Sequence, residues 1–317
     1  MRPVPVLILL ALFFLITHPT LAVCGARDGL ILWGNVVVPT LLPFMICSGA
    51  AAALGAATLI TRPFSPLLNG LLRLTLDGGF VFFTGIFCGC PMGAKTDREF
   101  LESRRISPAQ ARYLLAIANH PSPMFLLGYT KSQLAPCFPS GNVPVLLLLL
   151  GVYLPILPLA ALAAKVYGFD KSREHFPEKG NSKAGFSLDE HLTSCALTMI
   201  RIGCYLMIFS IFSAALSLLP DFLQTFRPIL LGFLEITTGI ASIAQSYEGL
   251  PALILVGASI SFGGVCALFQ TRSVLTPQTG KESSAIGTLS IRHYLFWKML
   301  HCALTCLVLA VLSQCCY

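Results

Sequence analysis

Glu235 stands alone in the apolar run Leu231-Gly-Phe-Leu-Glu-Ile-Thr-Thr-Gly239. A carboxyl group at bilayer depth costs about 2.5–3.5 kcal/mol on insertion scales, so it is kept where it has a partner or a task. Three tasks suit it: hydrogen bonding to substrate hydroxyls, holding a cation, or carrying a proton. Thr237 and Thr238 follow as hydroxyl ligands. The structural alternative is a pair with Lys95 or Arg201. The stretch Gly89-Cys-Pro-Met-Gly-Ala-Lys-Thr96 offers the opposite charge. Lys95 can face an anionic substrate with Thr96 adding a hydroxyl, or its flexible stem can carry the ammonium to the headgroups. The spacing is not that of a P-loop. In Asn119-His-Pro-Ser-Pro123 two prolines lack N–H donors and free backbone carbonyls, which Asn119 and Ser122 can join around an ion or solute. The alternative is a plain proline kink. A second Gly-rich stretch, Ser259 to Thr271, holds Gly264 and Gln270 and mirrors the first. Its glycines serve either a site or close helix packing.

No catalytic set accompanies these residues. There is no Ser-His-acid arrangement, no His-Glu-x-x-His and no Gly-x-Ser-x-Gly, so an enzyme is not expected. Most of the 12 cysteines lie in apolar stretches, where they act as small hydrophobes. Neither Cys88/Cys90 nor Cys302/Cys306 has a His or carboxylate at ligand spacing, so no metal or other cofactor is expected beyond a coupling Na⁺ or H⁺.

The elements that must position these residues are membrane helices. Of 317 residues 55% are hydrophobic and 11% charged, against about 25% charged in soluble domains. Apolar runs near the spanning length of about 20 residues recur along the chain. The expected fold is an all-α membrane protein, a multi-pass helical bundle in the cell membrane. The net charge of +7 does not imply nucleic acid, because no Lys/Arg run is interleaved with aromatics. The partners expected are the lipid bilayer and a small-molecule solute, with a homo-oligomer as a further option. Helical segments are read at 4–23, 28–56, 58–76 (interfacial), 107–130, 142–166, 191–219, 249–275 and 291–314, with re-entrant hairpins at 78–104 and 227–246. Residues 4–23 read as an uncleaved first span or as a signal peptide, the former preferred.

Charge gives the orientation. With the N-terminus inside, only Arg27, Lys131 and Arg227 of the Lys and Arg residues fall outside. The order span, hairpin, span, span then occurs twice with opposite orientation, an inverted-topology repeat with two re-entrant hairpins. The organisation expected is an N-terminal transmembrane helix (1–27), a first repeat (28–166), a cytoplasmic polar linker (167–190) and a second repeat (191–317).

An ordered set of stretches carries a resemblance: Leu32 to Phe44, Gly89 to Lys95, Ile106 to Met124, Leu231 to Gly239, and Ser261 to Gly264. In this set the chain resembles the nucleoside-recognition (Gate) domain proteins, above all the YlbJ-type sporulation integral membrane proteins. More distantly it resembles concentrative nucleoside transporters. The resemblance implies a sporulation-associated carrier in a bacterial inner or forespore membrane, linked to dipicolinic acid. In the nucleoside transporters a Gln-Thr-Glu triplet in the first hairpin and an Asn-Glu-Phe triplet in the second contact the nucleoside. Glu235 matches the second Glu. The first hairpin departs, with Cys90-Pro-Met92 where Gln-Thr-Glu would stand and Lys95 nearby. Loss of a carboxylate and gain of a cation favour a dicarboxylate. The site expected is Lys95, Thr96, Asn119 and Ser122 facing Glu235, Thr237, Thr238, Gly264 and Gln270. A Na⁺- or H⁺-coupled nucleoside carrier and a non-transporting scaffold of spore assembly are the alternatives.

Overall fold

The computed structural model describes residues 3–169, 187–276 and 289–316. Among these the chain is helical, with no strand. Helix α1 (Pro3–Thr17) stops at His18, whose φ of −128° and ψ of 57° lie outside the helical region. Pro19 is the cause, because its ring crowds the preceding residue. The same proline then opens α2 (Pro19–Leu32), where its missing N–H costs nothing. A π turn at Trp33–Val37 joins α2 to α3 (Val38–Ala53), giving one apolar helix of 35 residues, Pro19–Ala53. The spans expected at 4–23 and 28–56, and the N-terminal helix expected at 1–27, are redrawn accordingly. The break falls at His18, and residues 24–27 lie within a continuous helix.

Two short helices follow, α4 (Ala57–Thr61) and α5 (Ser65–Leu71), within the expected interfacial stretch. Helices α6 (Leu76–Cys88) and α7 (Met92–Glu102) pack against each other as a hairpin whose tip is Gly89-Cys-Pro91. Helix α8 (Pro108–Ile117) ends before a break at 118–122, followed by α9 (Pro123–Phe125), a π turn and α10 (Lys131–Leu134). Helices α11 (Val145–Tyr153) and α12 (Ile156–Tyr167) close the first half. The second half begins with α13 (Leu188–Ala215) and the short α14 (Asp221–Gln224). A second hairpin pairs α15 (Arg227–Leu234) with α16 (Ile236–Ser246) around Glu235. Then come α17 (Gly249–Phe262), α18 (Gly264–Leu275) and α19 (Ile291–Cys316).

Five helices among the described residues are long and apolar enough to cross a membrane. They are Pro19–Ala53, Val145–Tyr167, Leu188–Leu218, Gly249–Leu275 and Ile291–Gln314, with a sixth if the pair Ala57–Leu71 and Leu76–Cys88, bent by 96°, is counted as one. The chain is therefore a multi-pass, all-α membrane protein. The stretch expected as a span at 107–130 is not among the five, since its prolines divide it. Most of the polar stretch 167–190, and Lys281, lie outside the described residues.

Two features hold the frame. Helix α2 lies along α13 at backbone distance: a Cβ on Gly25 would fall 2.9 Å from the Ile211 Cα, and one on Gly29 2.8 Å from the Met207 Cα. At the end of this seam the Trp33 indole N–H donates to the Met199 carbonyl at 2.9 Å. Small residues allow this approach, and in a bilayer van der Waals packing of this kind drives association. The second feature is Arg105, just past α7. It pairs with Asp77, donates to the Ala52 carbonyl at 3.2 Å and lies 3.9 Å over the Phe100 ring. It thus ties α3, α6 and α7 together. Charge-assisted bonds are worth about 1.5–3 kcal/mol when shielded, less here because the pair is partly exposed. Arg105→Leu is expected to cost about 1–2 kcal/mol and lower the thermal midpoint in detergent by about 2–6 °C. Arg105→Lys should recover only part of this, since one ammonium cannot reproduce the planar fork. An unchanged midpoint for Arg105→Leu would refute the assignment.

Candidate solute site

Four interruptions of helix meet at one cavity of about 100 Å³. They are the first hairpin's tip at Gly89 and Cys90, the break at Pro121 and Ser122, the second hairpin's tip at Glu235 to Thr237, and the break at Gly263. Each interruption has a local cause. Proline at 121 and 123 removes donors from the break after α8. Gly263 and Gly264 adopt φ of +88° and +79°, a conformation that side chains rarely take, which ends α17 and restarts the chain as α18. Thr40 and Leu206, from the long helices, complete the wall. Gln270 and Lys298 supply further polar groups.

Glu235 is extended (φ −145°, ψ 124°), ending α15 and capping α16. Its carboxyl accepts from the Thr237 N–H at 3.1 Å, the Thr238 N–H at 2.8 Å and the Thr238 hydroxyl at 3.0 Å. It also accepts from the Thr237 hydroxyl. Free N–H groups and the positive end of the helix dipole explain why a carboxyl is stable at this position. With its acceptors occupied, Glu235 is held in one orientation. Neither Lys95 nor Arg201 pairs with it: the Lys95 ammonium is 3.7 Å from Glu99, and Arg201 is exposed.

The breaks free backbone carbonyls in an apolar interior, where each needs a donor. Side chains from other elements supply them. The Lys298 ammonium donates to the Asn119 carbonyl at 2.9 Å, across the two halves of the chain. The Tyr153 hydroxyl donates to the Pro121 carbonyl at 2.8 Å, and the Tyr129 hydroxyl to the Thr237 carbonyl at 2.8 Å. The Asn119 amide donates to the Tyr294 hydroxyl at 2.7 Å and to the Thr271 hydroxyl at 3.1 Å. Ser122 turns its hydroxyl inward to accept from the Phe125 N–H at 3.2 Å, capping the chain as it becomes helical again.

Of the residues expected from sequence, Ser122, Glu235, Thr237 and Gln270 line the cavity. Asn119 is buried behind the lining, in the network that holds the break. Thr238 acts through Glu235. Gly264 packs on the second hairpin, with its Cβ position 3.2 Å from the Leu234 carbonyl. Lys95 and Thr96 are buried in α7 but line no part of the cavity. The first hairpin presents its tip, not its return arm, and Lys95 is four residues past Pro91. Among the polar residues of the lining, Thr40, Cys90 and Lys298 are not in the expected set. The charge pattern counts Lys298 among the basic residues of the inner face, yet it is 2% exposed. The signal that marks it is Tyr294, Lys298, His301 and Thr305, a polar stripe at helical spacing in an otherwise apolar span.

The chain is 27% identical over 314 residues to the sporulation integral membrane protein YlbJ of Bacillus subtilis (strain 168), a match covering 85% of this chain and 76% of that protein. No family model matches the chain, and no solved structure matches it. The chain is thus similar along most of its length to a sporulation integral membrane protein, and its helices of membrane-crossing size agree with that likeness.

Proposed function

We propose that the chain is a sporulation-associated solute carrier of the bacterial inner or forespore membrane, without enzymatic activity, that works by alternating access. The observation that carries this reading is the meeting of two hairpin tips and two helix breaks at a cavity holding both Glu235 and Lys298. Long helix, hairpin, broken helix, long helix occurs in each half, which supports reading the halves as an inverted repeat. Such a repeat lets the halves exchange conformations and so present one site to either side. The solute favoured is a small aromatic dicarboxylate of the dipicolinate kind. Lys298 supplies the cation for a carboxylate, Gln270 an amide, and Phe125 and Ile236 apolar surface for a ring. The likeness to a sporulation protein supports the same choice.

The test is uptake of labelled dipicolinate into proteoliposomes holding the purified protein, with excess uridine as competitor. Saturable uptake unaffected by uridine is expected. In Glu235→Gln the amide N–H₂ must face either the Thr237 or the Thr238 N–H, whichever its oxygen does not serve, so uptake should fall at least about tenfold, the loss of roughly 1.4 kcal/mol from a misoriented site. The variant should still reach the membrane. Uptake no greater than in empty liposomes would sink the reading. Inhibition by uridine would favour a nucleoside carrier, and full function of Glu235→Gln in spores a scaffold.

A further inference from the structure

His120 and His301 line no part of the cavity, yet both are 1% exposed and their rings stand edge to face at 4.5 Å between centroids. They come from opposite halves, His120 from the break after α8 and His301 from α19. Each has its Nε2 at 2.8 Å from a backbone carbonyl, Ile117 for His120 and Val152 for His301. A carbonyl only accepts, so each Nε2 holds an N–H. A neutral imidazole has one N–H, so each Nδ1 is a bare lone pair. Neither Nδ1 has a protein partner at hydrogen-bond geometry, although the Ser261 carbonyl lies beside the His301 ring and would accept from a protonated one. Native interiors rarely leave one such acceptor unmet, and here two sit on touching rings. A metal ion would need further ligands, and no group of three His, Cys, Asp or Glu stands together among the described residues.

We propose that the His120–His301 pair takes up one proton at an Nδ1 and that this proton is the ion coupled to solute movement. The step is simple in balance: one proton leaves water, one imidazole becomes imidazolium, and the proton is released when the cavity opens to the other side. The link to the solute is short. His120 sits between Asn119, whose carbonyl holds the Lys298 ammonium, and Pro121, which lines the cavity. His301 lies one helical turn beyond Lys298. Among the described residues Lys298 is the charged group that faces the pair, and the Tyr153 and Tyr294 hydroxyls, on α11 and α19, bond to Pro121 and Asn119 on either side of His120. An ammonium opposes a second positive charge beside it. A solute carboxylate arriving at Lys298 offsets that charge, so solute and proton each favour binding of the other, as linkage requires.

The coupling role rests on the transport reading; the proton site does not, and the two fail separately. The full-length protein is placed in liposomes with the membrane potential clamped at zero and the outside one pH unit more acid. One proton per solute then sustains about tenfold accumulation of labelled dipicolinate. In His120→Gln and His301→Gln this accumulation should vanish, while exchange of labelled for unlabelled solute continues. Glutamine keeps an N–H for the Ile117 or Val152 carbonyl but takes up no proton. Gradient-driven accumulation in the double variant, or accumulation driven by Na⁺ alone in the unaltered protein, would overturn the proposal. If the protein moves no dipicolinate, ¹⁵N spectra of labelled histidine in detergent decide the proton site. On acidification an Nδ1 of the pair should gain a proton in the folded protein, and His120→Gln should alter the transition of His301. Lone-pair signals unchanged until unfolding would end the inference.

Discussion

Alanine at Gly85 is expected to keep the first hairpin from docking. Gly85 on α6 and Gly93 on α7 face each other and together meet the carbonyl of Ala118, where the break after α8 begins. A Cβ on Gly85 would fall 1.5 Å from that oxygen, and one on Gly93 2.4 Å from it. The neighbour is backbone and has no rotamer to yield. Ordinary overpacking costs about 1–3 kcal/mol; displacing a helix or a bonded chain segment belongs with the rare losses of about 4 kcal/mol or more. The next residue is Asn119, whose carbonyl holds Lys298, so the site should be lost with the packing. Gly85→Ala should accumulate poorly in the membrane, or show a thermal midpoint lower by about 10 °C or more in detergent. Gly70→Ala is the control: nothing lies within 4 Å of its Cβ position, and α5 should gain slightly in helix propensity. Equal midpoints for the two variants would show that the hairpin is not seated as described.

Replacing Lys298 by methionine should separate folding from transport. Methionine fills similar space without charge. Exchanging a buried ion for an apolar group of like volume is often neutral or stabilising. Against this, the Asn119 carbonyl loses its donor, a cost of about 1–3 kcal/mol. Stability should therefore change little. Removing one partner of a buried charge pair costs about 2–5 kcal/mol of binding, so capture of a dicarboxylate should weaken about 30-fold or more. Lys95→Met should leave uptake within about twofold, because Lys95 pairs with the half-exposed Glu99, an i,i+4 contact of small worth. Dicarboxylate uptake lost in Lys95→Met but kept in Lys298→Met would reverse the assignment made here.

The contrast between these two lysines shows what the sequence could convey. Helices and hairpins were legible because each depends on local composition. An apolar run of spanning length reads as a helix, and Gly-rich or Pro-rich interruptions read as breaks. Glu235, Ser122 and Gln270 stand out in the sequence because polar residues at such breaks are costly unless satisfied, and the fold brings all three to the cavity. Depth was not legible. Lys95 follows a glycine-rich tip and so looked like a site residue, but the hairpin's return arm carries it past the cavity. Lys298 looked like an inner-face charge, but its height depends on which helices surround α19, a property of tertiary packing alone. The first helix was misjudged for a smaller reason: one proline, Pro19, outweighs an apolar run that continues on both sides of it.

The seam between α2 and α13 bears on what can move. Main chains separated by no more than a missing methyl group cannot slide past one another by small steps. Any displacement drives backbone atoms together, so packed contacts of this kind behave as rigid or switch as a whole. Gly25, Gly29 and Trp33 thus join the leading long helix of each half into a single strut. If the cavity faces first one side of the membrane and then the other, as the proposed carrier requires, it cannot do so by parting these two helices. The travel falls to the hairpins and the interrupted helices, which would swing against the strut as a pair of jaws swings against a fixed spine.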